Sequence, residues 1–304
     1  MDRRTFIVRA GASTAAFSLV STRGADAAQS TDSVALSPLE GTIAEMTSIE
    51  VEQAAKSGAV VLWPISVIEQ HSSFLPTGSD IYHSSELSRW IAAKLKGRGI
   101  ESVILPNFFW GVNDVNGAYP GSIEVRQEIV VELISDVLRS LKRQGFEKVF
   151  CTSGHGDAAH NKAIYDGVSK ARQDTGVDAS FLTSLGLAKR LKLDPEDVAL
   201  TLFDVPRAGP TSEYADVHAG RHETSAILAI APDLVRQDQL PSLKPSNFGP
   251  EDLAEWRKGQ EATVRKAPLG YVGDPASANA SEGWDMFEEV STVAAEAVAK
   301  RVKK

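Results

Sequence analysis

Lys148-Val-Phe-Cys-Thr-Ser-Gly-His-Gly-Asp157 decides the fold class. Its first five residues are a short apolar run of β-branched and aromatic type, the mark of a strand buried on both faces. Two glycines then loosen the backbone, and helical spacing resumes from His160 to Thr175. Strand, glycine-rich turn and helix form one unit of a parallel sheet, because parallel neighbours need a crossover connection. Cys151, the chain's single cysteine, falls inside the run and reads as a small core residue.

The same unit recurs on both sides. Upstream, Thr47–Ser57 reads as a helix capped by Ser48 with Glu50 near its start. The apolar run 59–64 then ends at Pro64, a helix spans Ser84–Lys96, a strand 102–106, and a long amphipathic helix Glu124–Gln144. Downstream come a strand over 178–183, an irregular stretch over 185–220 suited to active-site loops, and a closing helix Ser281–Val302. These repeats predict an α/β chain with a mostly parallel sheet covered by helices. In such sheets ligands collect beyond the carboxyl ends of the strands.

The chain has 304 residues, a formal net charge of -8 and a pI near 5.4. That balance disfavours nucleic acid and anionic membranes as partners. Residues 1–28 open with Arg3-Arg4-Thr5-Phe6-Ile7, pass through a weakly apolar stretch and close on Ala25-Asp26-Ala27-Ala28. The order is that of an export signal, and the paired arginines give it twin-arginine character, so a periplasmic or secreted product is expected. Residues 29–44 read as a linker and 45–304 as one domain. The signal holds four arginines against two aspartates, so its removal takes the net charge from -8 to about -10. No segment is apolar enough for a permanent membrane anchor.

All six histidines fall in three pairs, His71 with His83, His155 with His160, and His218 with His222. Glu69 and His71 alternate soon after the strand ending at Pro64, and Asp80 follows across Pro76 and Gly78, so the stretch can offer two carboxylates and an imidazole to one point. His155 stands between two glycines at a strand end. Asp157 is open to two readings, metal ligand or helix cap. His218 sits on a loop and Glu223 on the first turn of a helix, where it either reaches the same site or complements the helix dipole.

Together these segments resemble the creatininase (creatinine amidohydrolase) family. The matching pieces are Glu69-Gln70-His71 with Asp80, Gly111 through Tyr119-Pro120-Gly121-Ser122, Gly154-His155-Gly156, His218-Ala219-Gly220 with Glu223-Thr224-Ser225, and Gly270 through Pro275. The resemblance implies a three-layer α/β/α sandwich, a pair of divalent ions of zinc, manganese or iron type, and a homohexamer or other homo-oligomer. It implies that Asp80 bridges the ions, that Glu69 and His155 complete one site, and that His71 with Asp157 or Glu223 completes the other. His218 matches a catalytic or substrate-contacting histidine, and Glu223 is a second candidate for proton transfer.

Creatinine-specific members carry Trp-Asp where this chain has Tyr214-Ala215, and a tyrosine where it has Gly156. The resemblance therefore points to the family's chemistry rather than to creatinine. Arg221, where an acidic residue is common, and His160, in a slightly longer segment, join Tyr214 as candidate substrate contacts. The expected function is metal-dependent hydrolysis of a carbon–nitrogen bond in a small or cyclic amide. Formamide deformylation, peptide cleavage and a non-catalytic binding role are its alternatives.

Overall fold

A computed structural model describes residues 37–205 and 214–303. The twin-arginine segment and the start of the linker lie outside the described residues. Helix α1 (Ser48–Lys56) leads into β1 (Val60–Ile65), α2 (Ser79–Lys96), β2 (Ser102–Ile104), α3 (Gln127–Arg143), β3 (Lys148–Ser153), α4 (Ala158–Thr175) and β4 (Asp178–Ser184). Then come α5 (Leu185–Arg190), β5 (Leu200–Phe203), α6 (Arg221–Ile230), α7 (Pro250–Trp256), α8 (Gln260–Lys266) and α9 (Ala280–Val302). No helix of the described residues is long and apolar enough to cross a membrane.

The five strands pair in parallel in the order β2-β1-β3-β4-β5. Alternation along each strand divides the core in two. Val61, Trp63, Ile65, Val149, Cys151 and Phe181 point to one face, where Val130, Ile134 and Leu138 of α3 and Ile164 and Val168 of α4 cover them. Val60, Leu62, Phe150 and Leu182 point to the other, against Leu87, Ile91 and Leu95 of α2 and Phe287, Ala295 and Val298 of α9. Each large side chain so buried contributes about 1.5–3 kcal/mol. The result is the expected three-layer α/β/α sandwich.

Element boundaries differ in places that matter. The cap of α1 is Thr47, which forms a reciprocal capping box with Glu50, so Ser48 is the first helical residue. Helix α2 begins at Ser79, five residues before the apolar spacing becomes readable, and so carries Asp80 in its first turn. The irregular stretch after 185 contains α5 and the edge strand β5. Strand β5 is only four residues long, too short for alternation to stand out.

A charge cluster fastens that edge. Asp178 accepts from Arg172 at 2.7 Å, Arg301 at 2.5 Å and Lys148 at 3.0 Å. Arg301 also donates to the carbonyls of Val198 and Leu200, tying α9 to β5. Burial would raise the Asp178 carboxyl, but Arg172, Arg301 and Lys148 hold it well below the usual carboxylate range. A depressed carboxylate stabilises the fold above its unfolded value, near 3.8, and that contribution is lost as pH falls through the folded value. With Asp178 a third exposed, solvent screening leaves an expected loss of about 1–2 kcal/mol for Asp178→Asn at pH 7. Urea denaturation should show the gap between wild type and variant narrowing below about pH 3.8.

Candidate metal centre

Strand order reverses between β1 and β3, and the chain leaving the carboxyl ends of those two strands builds the centre. Beyond β1 come Ser66, Glu69 and His71; beyond β3 comes His155. Gly154 is required by close approach: a Cβ there would lie 2.5 Å from the Asp80 carbonyl oxygen and 2.7 Å from Ser66 Oγ. Gly156 has open space around it, so only the first glycine of the pair is sterically needed. The Asp80 end of α2 is locked to β1 by Ser84, which donates to the Asp80 carbonyl and pairs with Ser66 at 2.6 Å.

Helix α6 brings Glu223 from the opposite side. The loop before it is held by the antiparallel bridge between His218 and Val272, and by Asp216, which accepts from the Arg221 amide. Ser72 and Ala219, the residues after His71 and His218, both adopt left-handed backbone (φ 64° and 43°). At Ala219 this turn aims the amide at Glu223 Oε2, 2.6 Å away.

Three groups of ligand-type atoms result among the described residues: Glu69, Asp80 and His155 form one, His71, Asp80 and Glu223 a second that shares the Asp80 carboxylate with it, and Glu69, His71 and His218 a third. Asp80 Oδ2 lies 3.1 Å from His155 Nδ1, which is also 3.0 Å from Glu69 Oε2. Asp80 Oδ1 lies 3.3 Å from His71 Nε2, which is 3.5 Å from Glu223 Oε2. His218 Nδ1 looks in from the side, 4.0 Å from Glu69 and 3.9 Å from Glu223.

The donor set suits a divalent cation. His71 Nε2 and Asp80 Oδ2 are buried and make no hydrogen bond of proper geometry, although oppositely charged atoms stand close by. Orphaned atoms in a buried charged group are costly, and a cation among them removes that cost. The far side of the His71 ring is already committed, with Nδ1 3.0 Å from the Glu69 carbonyl, which leaves a lone pair on Nε2. Glu69 is steadied by Asn116, whose amide donates to Oε1 at 2.6 Å. His218 is steadied by Gln70, whose backbone carbonyl lies 2.9 Å from Nε2. Mixed imidazole and carboxylate ligands of this kind fit zinc, manganese or iron.

Burial opposes every charge here, and neighbours decide the outcome. Burial would depress His71, but Asp80 and Glu223 push it up to about 10; Glu69 and Asp80 likewise raise His155. Burial would raise Glu69 and Asp80, yet the histidines hold both below the ordinary range. Burial and the charges of Asp80 and Glu69 push Glu223 up to about 7, against the pull of His71. Burial, with His71 beside it, depresses His218 to about 4.

Three sequence candidates stand elsewhere. Asp157 is the N-cap of α4: Oδ1 accepts from the Ala159 and His160 amides and Oδ2 from the Val115 amide, so it belongs to none of the ligand groups. His160 is wholly buried behind the centre, its ring 5.2 Å from that of His155 and its Nδ1 accepting from the Val112 amide. It packs and positions instead of lining a substrate pocket. Arg221 donates from Nε to Glu282 of α9 at 2.7 Å. Tyr214 is exposed on the loop that leads to His218. Sequence reasoning missed Gln70, Asn116 and Trp256, whose ring lies 6.1 Å from that of His218. Gln70 lay inside the recognised Glu-Gln-His motif and was the one within reach.

The fold and this arrangement define a hydrolase with a metal-binding centre at the switch point of a parallel sheet. The family model for creatininase (creatinine amidohydrolase) matches residues 44–298, and the chain belongs to that family. A mycofactocin precursor peptide peptidase of Mycobacterium ulcerans (strain Agy99) is 27% identical over 83% of this chain and 88% of its own length. A creatinine amidohydrolase of Pseudomonas putida is 24% identical over 69% of this chain and 80% of its own. Among solved structures, a creatininase crystal structure superposes with a TM-score of 0.65 at 18% identity, covering 86% of this chain and 97% of that one. Other solved creatininases include a Zn-Zn form and a manganese form.

Residues that orient ligands without touching the ion typically change affinity 10- to 100-fold when lost. Asn116→Ala frees Glu69 Oε1 and should weaken zinc binding by about that factor, read by competition with a chelating dye.

Proposed function

We propose that this chain is a metal-dependent amidohydrolase that breaks a carbon–nitrogen bond in a small or cyclic amide. In this reading Glu69, Asp80 and His155 hold one divalent ion, and His71, Asp80 and Glu223 hold a second. The observation that carries it is the orientation of Asp80, whose two oxygens face two different ligand groups. Bound there, a pair of zinc, manganese or iron ions would supply Lewis acidity, polarising an amide carbonyl and acidifying a water towards a pKa of about 7.

The chain's own groups then manage the protons. Water adds its oxygen to the amide carbon, the C–N bond breaks, and the departing nitrogen needs a proton. His218 Nδ1 faces the centre with the ring fixed from behind by Gln70, so it can accept a proton from the attacking water and deliver it to the nitrogen. Glu223 lies 3.9 Å from that nitrogen atom of His218 and is the second group able to move the proton. Trp256 packs beside His218, with their ring centroids 6.1 Å apart.

Peptide cleavage is a second reading, favoured by the likeness to mycofactocin precursor peptide peptidases. The same scissile group and proton path serve both. Export by the Arg3-Arg4 signal to the periplasm or beyond, and assembly into a homohexamer, complete the proposal.

Elemental analysis of the purified mature protein tests the core of it. About two metal ions per subunit in wild type, falling below one in Asp80→Ala and Asp80→Asn, together with loss of amide hydrolysis, is the expected result. Failure of the reconstituted wild type to retain any stoichiometric metal would exclude the mechanism.

A further inference from the structure

The segment Gly270-Tyr271-Val272-Gly273-Asp274-Pro275 supplies no atom to the ligand groups, although its backbone is joined to the chain at His218. Between this segment and the start of α6 lies the carboxylate of Asp216. Its Oδ2 accepts from the Arg221 amide at 2.8 Å and from the Asp274 amide at 3.3 Å, and its Oδ1 from the His222 amide at 3.4 Å. Two glycines make the room. A Cβ on Gly220 would lie 2.4 Å from Asp216 Oδ1, and one on Gly273 would lie 2.7 Å from Oδ2 and 2.6 Å from the Gly220 Cα.

These contacts do for α6 what a cap residue ordinarily does. Gly220, at the N-cap, has no side chain to offer, and the amides of Arg221 and His222 are among those a helix start leaves without an acceptor. Asp216 supplies one from four residues upstream, and its negative charge suits the helix N-terminus. Glu223 stands in the turn so fixed, with its Oε2 accepting from the Ala219 amide at 2.6 Å. The Asp274 amide ties the same carboxylate to the segment whose Val272 amide donates to the His218 carbonyl at 2.7 Å. Glu223 and His218 thereby share one anchor. Glu69, Asp80 and His155 have others, being clamped through Asn116, Ser84 and Asn161.

We propose that Asp216 is the positioning residue of the second ion, setting Glu223 for the group it forms with His71 and Asp80 and leaving the group of Glu69, Asp80 and His155 untouched. This inference rests on the two-ion reading and divides it, since one ion then depends on the Asp216 anchor and the other does not. An asparagine in this place could set its side-chain oxygen where Oδ2 stands, keeping the Arg221 and Asp274 bonds and losing only the longest. Alanine keeps none of the three.

Stepwise zinc affinities of the metal-free protein, measured by competition with a chelating dye, test the role. Wild type should take up two ions. D216A should weaken one step about 10- to 100-fold, the range for a residue that orients a ligand without touching the ion, and leave the other near its wild-type value. D216N should restore most of the lost affinity, and G273A, which crowds the carboxylate, should reproduce the D216A result with Asp216 still present. E223A identifies the affected step: D216A/E223A should bind no more weakly than E223A alone, because an anchor adds nothing once its ligand is gone. Equal weakening of both steps in D216A and G273A, no weakening in either, or additive losses in the double variant overturns the positioning role while the two-ion reading stands. A wild type that takes up no second ion overturns both.

Discussion

Three carboxylates and three histidines converge on one buried point, and the rest of the molecule is arranged around the cost of putting them there. Asp80 is the hinge of that arrangement, since it belongs to two of the three ligand groups and is nearly inaccessible to solvent. Burying an ion without a partner costs several kcal/mol, so the group is tolerable only when its charges are matched in place. In the protein alone His71 and His155 supply the matching positive charge by holding protons. Metal ions would take over that duty, and metal binding is accordingly linked to proton release and to the stability of the loops that carry the ligands.

That linkage explains why so much of the surrounding structure is rigid. The Asp80 turn is clamped through Ser66 and Ser84, the His155 backbone by Asn161, the Glu69 carboxylate by Asn116 and the His218 ring by Gln70. Each clamp is a short buried hydrogen bond, and each acts on a different element. Ligands drawn from β1, α2, β3 and α6 keep a common geometry only if the elements cannot slide. The all-parallel sheet, covered on both faces, supplies that resistance.

Much of this was legible in the sequence, for identifiable reasons. The apolar runs of β1, β3 and β4 are buried on both faces and so announce themselves as continuous hydrophobic stretches. The histidine and carboxylate clusters fall at their carboxyl ends, where a parallel sheet gathers ligands. Helix α2 was read late because its first turn is polar: Ser79, Asp80 and His83 give no hydrophobic periodicity, and the turn is helical because it carries a ligand to the sheet. Strand β5 was missed because a four-residue edge strand has too few positions for a pattern. Asp157 could not be placed, since a helix cap and a metal ligand demand the same residue type after a glycine. Three amide donors decide it by using both its oxygens. Arg221 reads as a free cation in sequence, and only the return of α9 brings Glu282 against it.

The separation of chemistry from recognition follows from the same geometry. Ligand residues arise where the sheet reverses direction, a position fixed by the core. Tyr214 comes instead from the exposed loop before His218, and Trp256, beside the His218 ring, from the end of α7. Substitution at those positions changes which molecule enters without disturbing the ions that would act on it. Relatives 27% and 24% identical to this chain bear the names of a peptidase and of a creatinine amidohydrolase, the divergence such an arrangement permits. In this chain Arg221, in the first turn of α6, is paired with Glu282 of α9.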